Sequence, residues 1–114
     1  MSQDNLVQAV IDGILSGQIL ETFDRYYAED VVMSENGAEE RVGFEACRAY
    51  EEAFVGGVEF HGASVGRTII AGDQAAIEWT FEFTPKGGER LVQKQVALQT
   101  WREGKVVRED FYHG

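Results

Sequence analysis

The hydrophobic period of this chain changes once, at the Gly56-Gly57 pair, and that change divides it into a helical half and a sheet half. From Gln3 to Leu15 the residues Leu6, Val7, Val10, Ile11 and Ile14 recur at intervals of three and four, which predicts a helix with one buried face, capped by Ser2 or Asp4. Gly17 breaks the pattern. A second stripe of Ile19, Leu20, Phe23, Tyr26 and Tyr27 follows and ends before the β-branched pair Val31-Val32. After the loop ENGAEE, Gly43 precedes a third stripe of Phe44, Cys47, Tyr50 and Phe54, which the two glycines close.

Beyond Gly57 the period is two, and the punctuation is that of hairpins: AGDQ around Gly72, PKGGE around Gly87 and Gly88, and REGK around Gly104. Four strands are predicted, from Val58 to Ala71, Gln74 to Thr84, Arg90 to Arg102 and Lys105 to His113. In the second, Ile77, Trp79, Phe81 and Phe83 share one face, while Glu78, Thr80 and Glu82 share the other. The third carries Gln93, Gln95, Ala97, Gln99 and Trp101 on one side and Val96, Leu98 and Thr100 on the other. Three N-terminal helices packed on a strongly curved antiparallel sheet make an α+β fold shaped as a cone, with an internal pocket. The polar side is expected to bring Glu78, Glu82 and Glu109 opposite Gln95 and Gln99 and to line that pocket. A single β-bulge would exchange Glu78 for Trp79.

A chain of 114 residues, with 44% hydrophobic and 26% charged residues, is expected to form one domain spanning 1–114. A formal net charge of −10 disfavours nucleic acid and anionic membrane as partners, because those surfaces demand clustered Lys and Arg. No apolar run approaches the length of a bilayer crossing, and the N-terminus has no basic segment followed by an apolar one, so a cytoplasmic location is expected. Cys47 is the only cysteine. It falls on the apolar side of the third helix, where a buried, inert thiol is the expected state.

Glu35 stands where a short strand leaves the helical layer and enters the pocket. A carboxylate at a pocket mouth, beside apolar neighbours such as Met33, is suited to act as a general base. The same Glu35-Asn36-Gly37 triplet also reads as a solvent-exposed turn, and both readings stay open. His61, in EFHGA, is either a general acid or a structural residue. Parity puts His113 on one face with Glu109 and Phe111. The acidic face of the third helix, with Glu45, Glu51 and Glu52, is expected to be solvated along with Glu39 and Glu40. Most remaining acids are expected to pair with Arg41, Arg48, Arg67 and Arg108. No His or Cys spacing of a metal centre occurs, and no glycine-rich phosphate loop or nucleophile-elbow serine is present, so neither a metal nor a cofactor is expected.

The order helix, helix, YAEDVVMSENG, helix, then hairpins ending in WREGKVVREDFYH resembles the SnoaL-like branch of the nuclear-transport-factor-2-like, or cystatin-like, superfamily. The resemblance rests most on Tyr27 to Val31, on the Val-Gly-Phe start of the third helix at Val42 to Phe44, and on Gly104 to Val107. It covers nearly the whole chain. It implies that helices close over a bent sheet, that the face with Glu109, Phe111 and His113 is the inner one, and that a homodimer forms through the sheet's outer face. The superfamily includes ketosteroid isomerase, polyketide cyclases, epoxide hydrolases, dehydratases and proteins that only bind, so fold does not choose the reaction. Set beside ketosteroid isomerase, Glu35 falls on the base. Val10 and Ala97 fall where its two oxyanion donors are expected, and the Asp-Arg-Asp arrangement of the epoxide hydrolases is absent.

Two functions follow. In one, a cofactor-independent isomerase or lyase acts on a small, largely apolar carbonyl compound, with Glu35 abstracting a proton while His61, Gln95 or Tyr27 holds the developing oxygen charge. In the other, a non-catalytic domain binds a small molecule or serves as a dimeric scaffold. Tyr27, Glu78, Gln95, Gln99, Trp101, Glu109, Phe111 and His113 are the candidate ligand contacts in both.

Overall fold

The computed structural model describes residues 2–114. Three helices and a six-stranded sheet are present: α1 (Gln3–Leu15), α2 (Ile19–Tyr26), β1 (Tyr27–Glu35), β2 (Arg41–Val42), α3 (Phe44–Gly57), β3 (Val58–Ala71), β4 (Gln74–Pro85), β5 (Leu91–Arg102) and β6 (Lys105–His113). The period-three-and-four stripes became helices and the period-two segments became strands. Ser2 is the cap of α1: its hydroxyl accepts from the Asn5 amide at 3.2 Å. Gly13 faces Thr22 so closely that a Cβ there would stand 2.0 Å from the Thr22 hydroxyl, and α1 and α2 therefore meet backbone to side chain.

The sheet order is β2-β1-β6-β5-β4-β3. Neighbours from β6 to β3 are antiparallel, as the hairpin turns require, but β1 runs parallel to β6. The sheet is thus mixed, which corrects the antiparallel expectation. Side-chain alternation has the same period in both directions, so sequence parity carries no information on strand sense. Two further differences lie in the first half. Tyr27 opens a nine-residue β1 instead of ending the second helix, and a two-residue strand, β2, pairs with β1 before α3, so strands interrupt the helical run.

The inner face is built in ranks of Cα partners. Met33, Glu109, Gln99 and Ala75 form one rank; Glu35, Phe111, Ala97 and Ile77 the next; His113, Gln95 and Trp79 a third; and Gln93 with Phe81 a fourth. Partners in a ladder point to the same side, so the amides of β5 and the aromatics of β4 share one face. Glu78 pairs with Val96 on the opposite face. The expected union of Glu78 and Glu82 with the glutamines is therefore corrected: the register sets the apolar face of β4 beside the amide face of β5. Bulges in β3 between Phe60 and Gly62 and between Val65 and Thr68, and in the β5–β6 pairing between Thr100 and Trp101, break the ladder where strands bend.

Helices α1 to α3 cover this inner face. Val7, Val10, Ile11, Phe23, Val31, Met33, Cys47, Ile77, Ala97, Trp101 and Val106 form the buried core between the layers. Burying each of the valines, isoleucines, Phe23 and Met33 among them contributes about 1.5–3 kcal/mol. No helix among the described residues is long and apolar enough to cross a membrane.

Candidate functional site

A cavity of about 290 Å³ lies between the helices and the inner face of the sheet. Its wall is mostly apolar and rich in aromatic rings, with Phe23 and Tyr27 from the α2–β1 junction, Tyr50 and Phe54 from α3, and Trp79, Phe81 and Phe83 from β4. The rings brace one another: Phe23 stacks on Tyr27 at 4.5 Å, Trp79 stacks on Phe81 at 5.2 Å, and Phe54 meets Phe83 edge-on at 5.2 Å. Into this apolar wall project three carboxyl groups, Glu35, Glu51 and Glu109, together with Gln93, Gln95 and His113.

Glu35 ends β1 and is fixed by the turn after it. Asn36 and Gly37 both have positive φ, at 52° and 69°, which an Asn-Gly pair adopts with little strain. The Asn36 amide donates to the Phe111 carbonyl at 2.7 Å, and its side-chain oxygen accepts from the His113 amide at 2.8 Å. The turn is thereby bolted to β6, and Glu35 faces the cavity from the residue before it. Glu35 lines the cavity, while Asn36 and Gly37, from the next residue on, form an exposed turn. The Tyr50 hydroxyl donates to Glu35 at 3.0 Å, and the Arg41 guanidinium stacks over the Tyr50 ring at 3.6 Å.

Glu109 is only 3% exposed and sits at the back of the cavity. Tyr27 donates to one of its oxygens at 2.5 Å and Gln99 to the other at 2.8 Å, while the Trp101 indole N–H donates to the Gln99 amide oxygen at 3.0 Å. Gln99 is so oriented by Trp101 that its NH₂ must face the carboxyl. Burial pushes Glu109 up to about 7 despite these two donors. Glu51 is pushed up to about 7 as well, first by burial and then by the charge of Glu109, with Arg41 opposing. Burial and the neighbouring Glu109 raise Tyr27 well above its ordinary value, so it remains a hydroxyl donor.

Of the residues singled out in the sequence, Glu35, Tyr27, Gln95, Glu109, Phe111 and His113 meet around this cavity. Gln99 and Trp101 lie behind the wall and act on it through Glu109. Two residues stand elsewhere. Glu78 is held by Arg67 on the outer side of the sheet, where that guanidinium and the Arg67 amide draw its carboxyl down to about 2. His61 is exposed at the β3 bulge and bonds the Thr84 hydroxyl at 2.7 Å. Among the described residues no cluster of His, Cys, Asp and Glu is arranged to hold a metal ion.

Glu51 is the residue that sequence reading missed. The acidic pattern of α3 predicts a solvated side chain here, yet Glu51 lines the cavity one turn after Cys47 and next to Tyr50. Its i+4 spacing from the buried Cys47, and its i−3 spacing from Phe54, was the available signal. Arg41 differs too, since it pairs with no carboxylate and stacks on Tyr50 instead.

The sequence profile of the SnoaL-like domain matches residues 7–109. Among solved structures, a SnoaL-like protein of Mesorhizobium loti, described as a candidate polyketide cyclase, is 29% identical, with a TM-score of 0.88 over 98% of this chain and 99% of the other. An NTF2-like protein of unknown function from Burkholderia pseudomallei is 15% identical, with a TM-score of 0.84 over 100% of this chain and 92% of that one. An LEH-like epoxide hydrolase of M. tuberculosis is 18% identical, with a TM-score of 0.78 over 96% and 80%. The last two likenesses concern the fold alone. No curated protein sequence matches. With a profile match across nearly its whole length and the same arrangement of helices over a mixed sheet, this chain belongs to the SnoaL-like domain family.

Proposed function

We propose that this protein is a cofactor-independent acid–base enzyme of the isomerase, cyclase or lyase kind, acting on a small, largely apolar carbonyl compound. The observation that carries the reading is the convergence of three carboxyl groups on one aromatic cavity, two of them with pKa values brought to about 7, where a carboxyl exchanges protons most readily at neutral pH. Glu35, at the end of β1 and oriented by Tyr50, is the proton acceptor. Gln95, in the rank next to Glu35 on the same face, is the amide donor placed to hold the developing oxygen charge. Tyr27 is already engaged with Glu109, and His61 lies outside the cavity, so neither takes that role in the present geometry. Glu51 and Glu109 provide a local store for one proton, because two facing carboxyls in an apolar wall do not both ionise.

The test is a thermal-shift screen of small ketones, lactones and aromatic polyketide-like compounds on the wild type and on Glu35→Gln. The enzyme reading expects a compound that stabilises both proteins and is consumed only by the wild type. Compounds that bind and are never consumed would instead make this a binding domain.

The outer face supports a second assignment, to a homodimer. Ile69, Leu98, Val96 and Tyr112 are exposed there, and the register sets Ile69 beside Ala76 and Leu98, and Val96 beside Tyr112, as a continuous apolar patch.

A further inference from the structure

We propose that the molecule bound in this cavity carries a cationic amine on its apolar body. The inference rests on the cavity being the ligand site, and it adds the charge of the ligand.

The charge balance of the cavity is one-sided. Glu35, Glu51 and Glu109 all reach it, and no lysine or arginine is among its lining residues. Glu35 and Glu109 have side-chain donors in Tyr50, Tyr27 and Gln99. Glu51 has none among the described residues; its side chain is half-buried and lines the cavity. A carboxyl that has lost part of its hydration and has no donor is favoured by keeping a proton or by meeting a cation. The charged groups that face it are Glu109 from β6 and Glu35 from β1, which oppose its ionisation, and Arg41 from β2, which favours it; Tyr27 and Tyr50 stay neutral hydroxyls beside it. Arg41 is stacked on Tyr50 outside the lining, so it offsets this repulsion without supplying a contact to the ligand.

The walls favour the same ligand. Trp79, Phe81, Phe23 and Tyr27 line the cavity, and an aromatic ring attracts an ammonium group set against its negative face, which a neutral ligand does not gain. A neutral or anionic ligand gains nothing comparable and leaves Glu51 unpaired. The net charge of −10 raises the local concentration of cations around the protein as a whole. A cation arriving beside Glu51 takes the place of the proton held there, so binding releases protons to the solvent.

Benzyltrimethylammonium, benzyl alcohol and cyclohexanone are suitable probes, since the first has no titratable proton and the others are neutral. Titration calorimetry of the whole chain near pH 7, in two buffers of different ionisation enthalpy, reads affinity and proton release together. The ammonium is expected to bind about tenfold or more tightly than benzyl alcohol, with protons released and with affinity rising between about pH 6 and 8. Glu51→Gln is expected to remove most of the ammonium's preference over benzyl alcohol and to lower the number of protons released. Equal or tighter binding of benzyl alcohol overturns the inference, as does ammonium binding without proton release, or failure of both aromatic probes to bind. Cyclohexanone bound and consumed by a protein that ignores the ammonium would remove the inference and leave the proposed reaction standing. Ammonium binding by a protein that consumes no ketone would do the reverse.

Discussion

The hydroxyl of Tyr27 lies 2.5 Å from the carboxyl of Glu109, eighty-two residues away in the chain, and both are buried. Tyr27 opens β1 and Glu109 lies in β6, so this bond forms only once the parallel pairing of those strands is made. It locks the back of the cavity and holds the most enclosed acid of the protein.

Because Glu109 and Glu51 both rise from 4.5 to about 7 on folding, the folded state binds more protons than the unfolded chain between those values. Their contribution to stability is complete below about pH 4.5 and is lost as pH rises through 7, with a slope of up to roughly 1.4 kcal/mol per pH unit for each proton. Asp24, Asp30, Glu78 and Glu82 are lowered by arginine partners and act in the opposite direction, losing their contribution as pH falls below their ordinary values. These four are exposed, so they contribute little. Chemical denaturation as a function of pH should therefore give maximal stability on the mildly acidic side of neutrality, and Glu109→Gln should flatten the decline above pH 5. Stability that rises steadily from pH 5 to 8 would contradict the assignment.

Gly13→Ala should destabilise the α1–α2 elbow by about 1–3 kcal/mol, since its new methyl group would stand 2.0 Å from the Thr22 hydroxyl and 3.2 Å from two Thr22 carbons. Denaturant midpoints provide the measurement. Adding Thr22→Ala should recover much of the loss, and an additive double mutant would mean that the two residues do not meet.

If the outer face forms a homodimer, light scattering should give twice the 12.7 kDa chain mass for the wild type. Leu98→Lys, placed at the centre of the exposed apolar patch, should return a monomer with unchanged circular dichroism. A wild type that is monomeric at micromolar concentration would dismiss this assembly.

Cys47 is wholly buried, its thiol directed at the carbonyls of Arg41 and Val31 at 3.3 and 3.7 Å, and burial raises its pKa. An aromatic disulfide reagent should fail to label it under native conditions and label it fully in denaturant. Fast native labelling would show that α3 opens readily from β1.

Three helices, four long strands and the hairpin turns could be read directly, because amphipathic period and turn chemistry are local properties of the chain. The motif from Tyr27 to Val31 and the Gly-Lys-Val-Val turn likewise pointed to the family. Glu35, Gln95, Glu109, Phe111 and His113 were recoverable from parity, since alternation along β1, β5 and β6 stays regular where they lie.

Other features were decided between segments. Whether Glu78 or Trp79 faces the cavity depends on the register of β4 against β5, which pairs Trp79 with Gln95, and no single strand encodes its neighbour's offset. The sense of β1 against β6 depends on how the chain returns through α3, and alternation is blind to it. Glu51 resembles four other acids of the same region until the helix rotates it beneath the sheet toward Glu109. Sequence by itself determined the elements, the turns and the family, because those follow from each residue's own period and conformational preference. Only the tertiary structure decided which acids share one apolar cavity, because burial and the field of a neighbouring charge exist only after distant segments have packed.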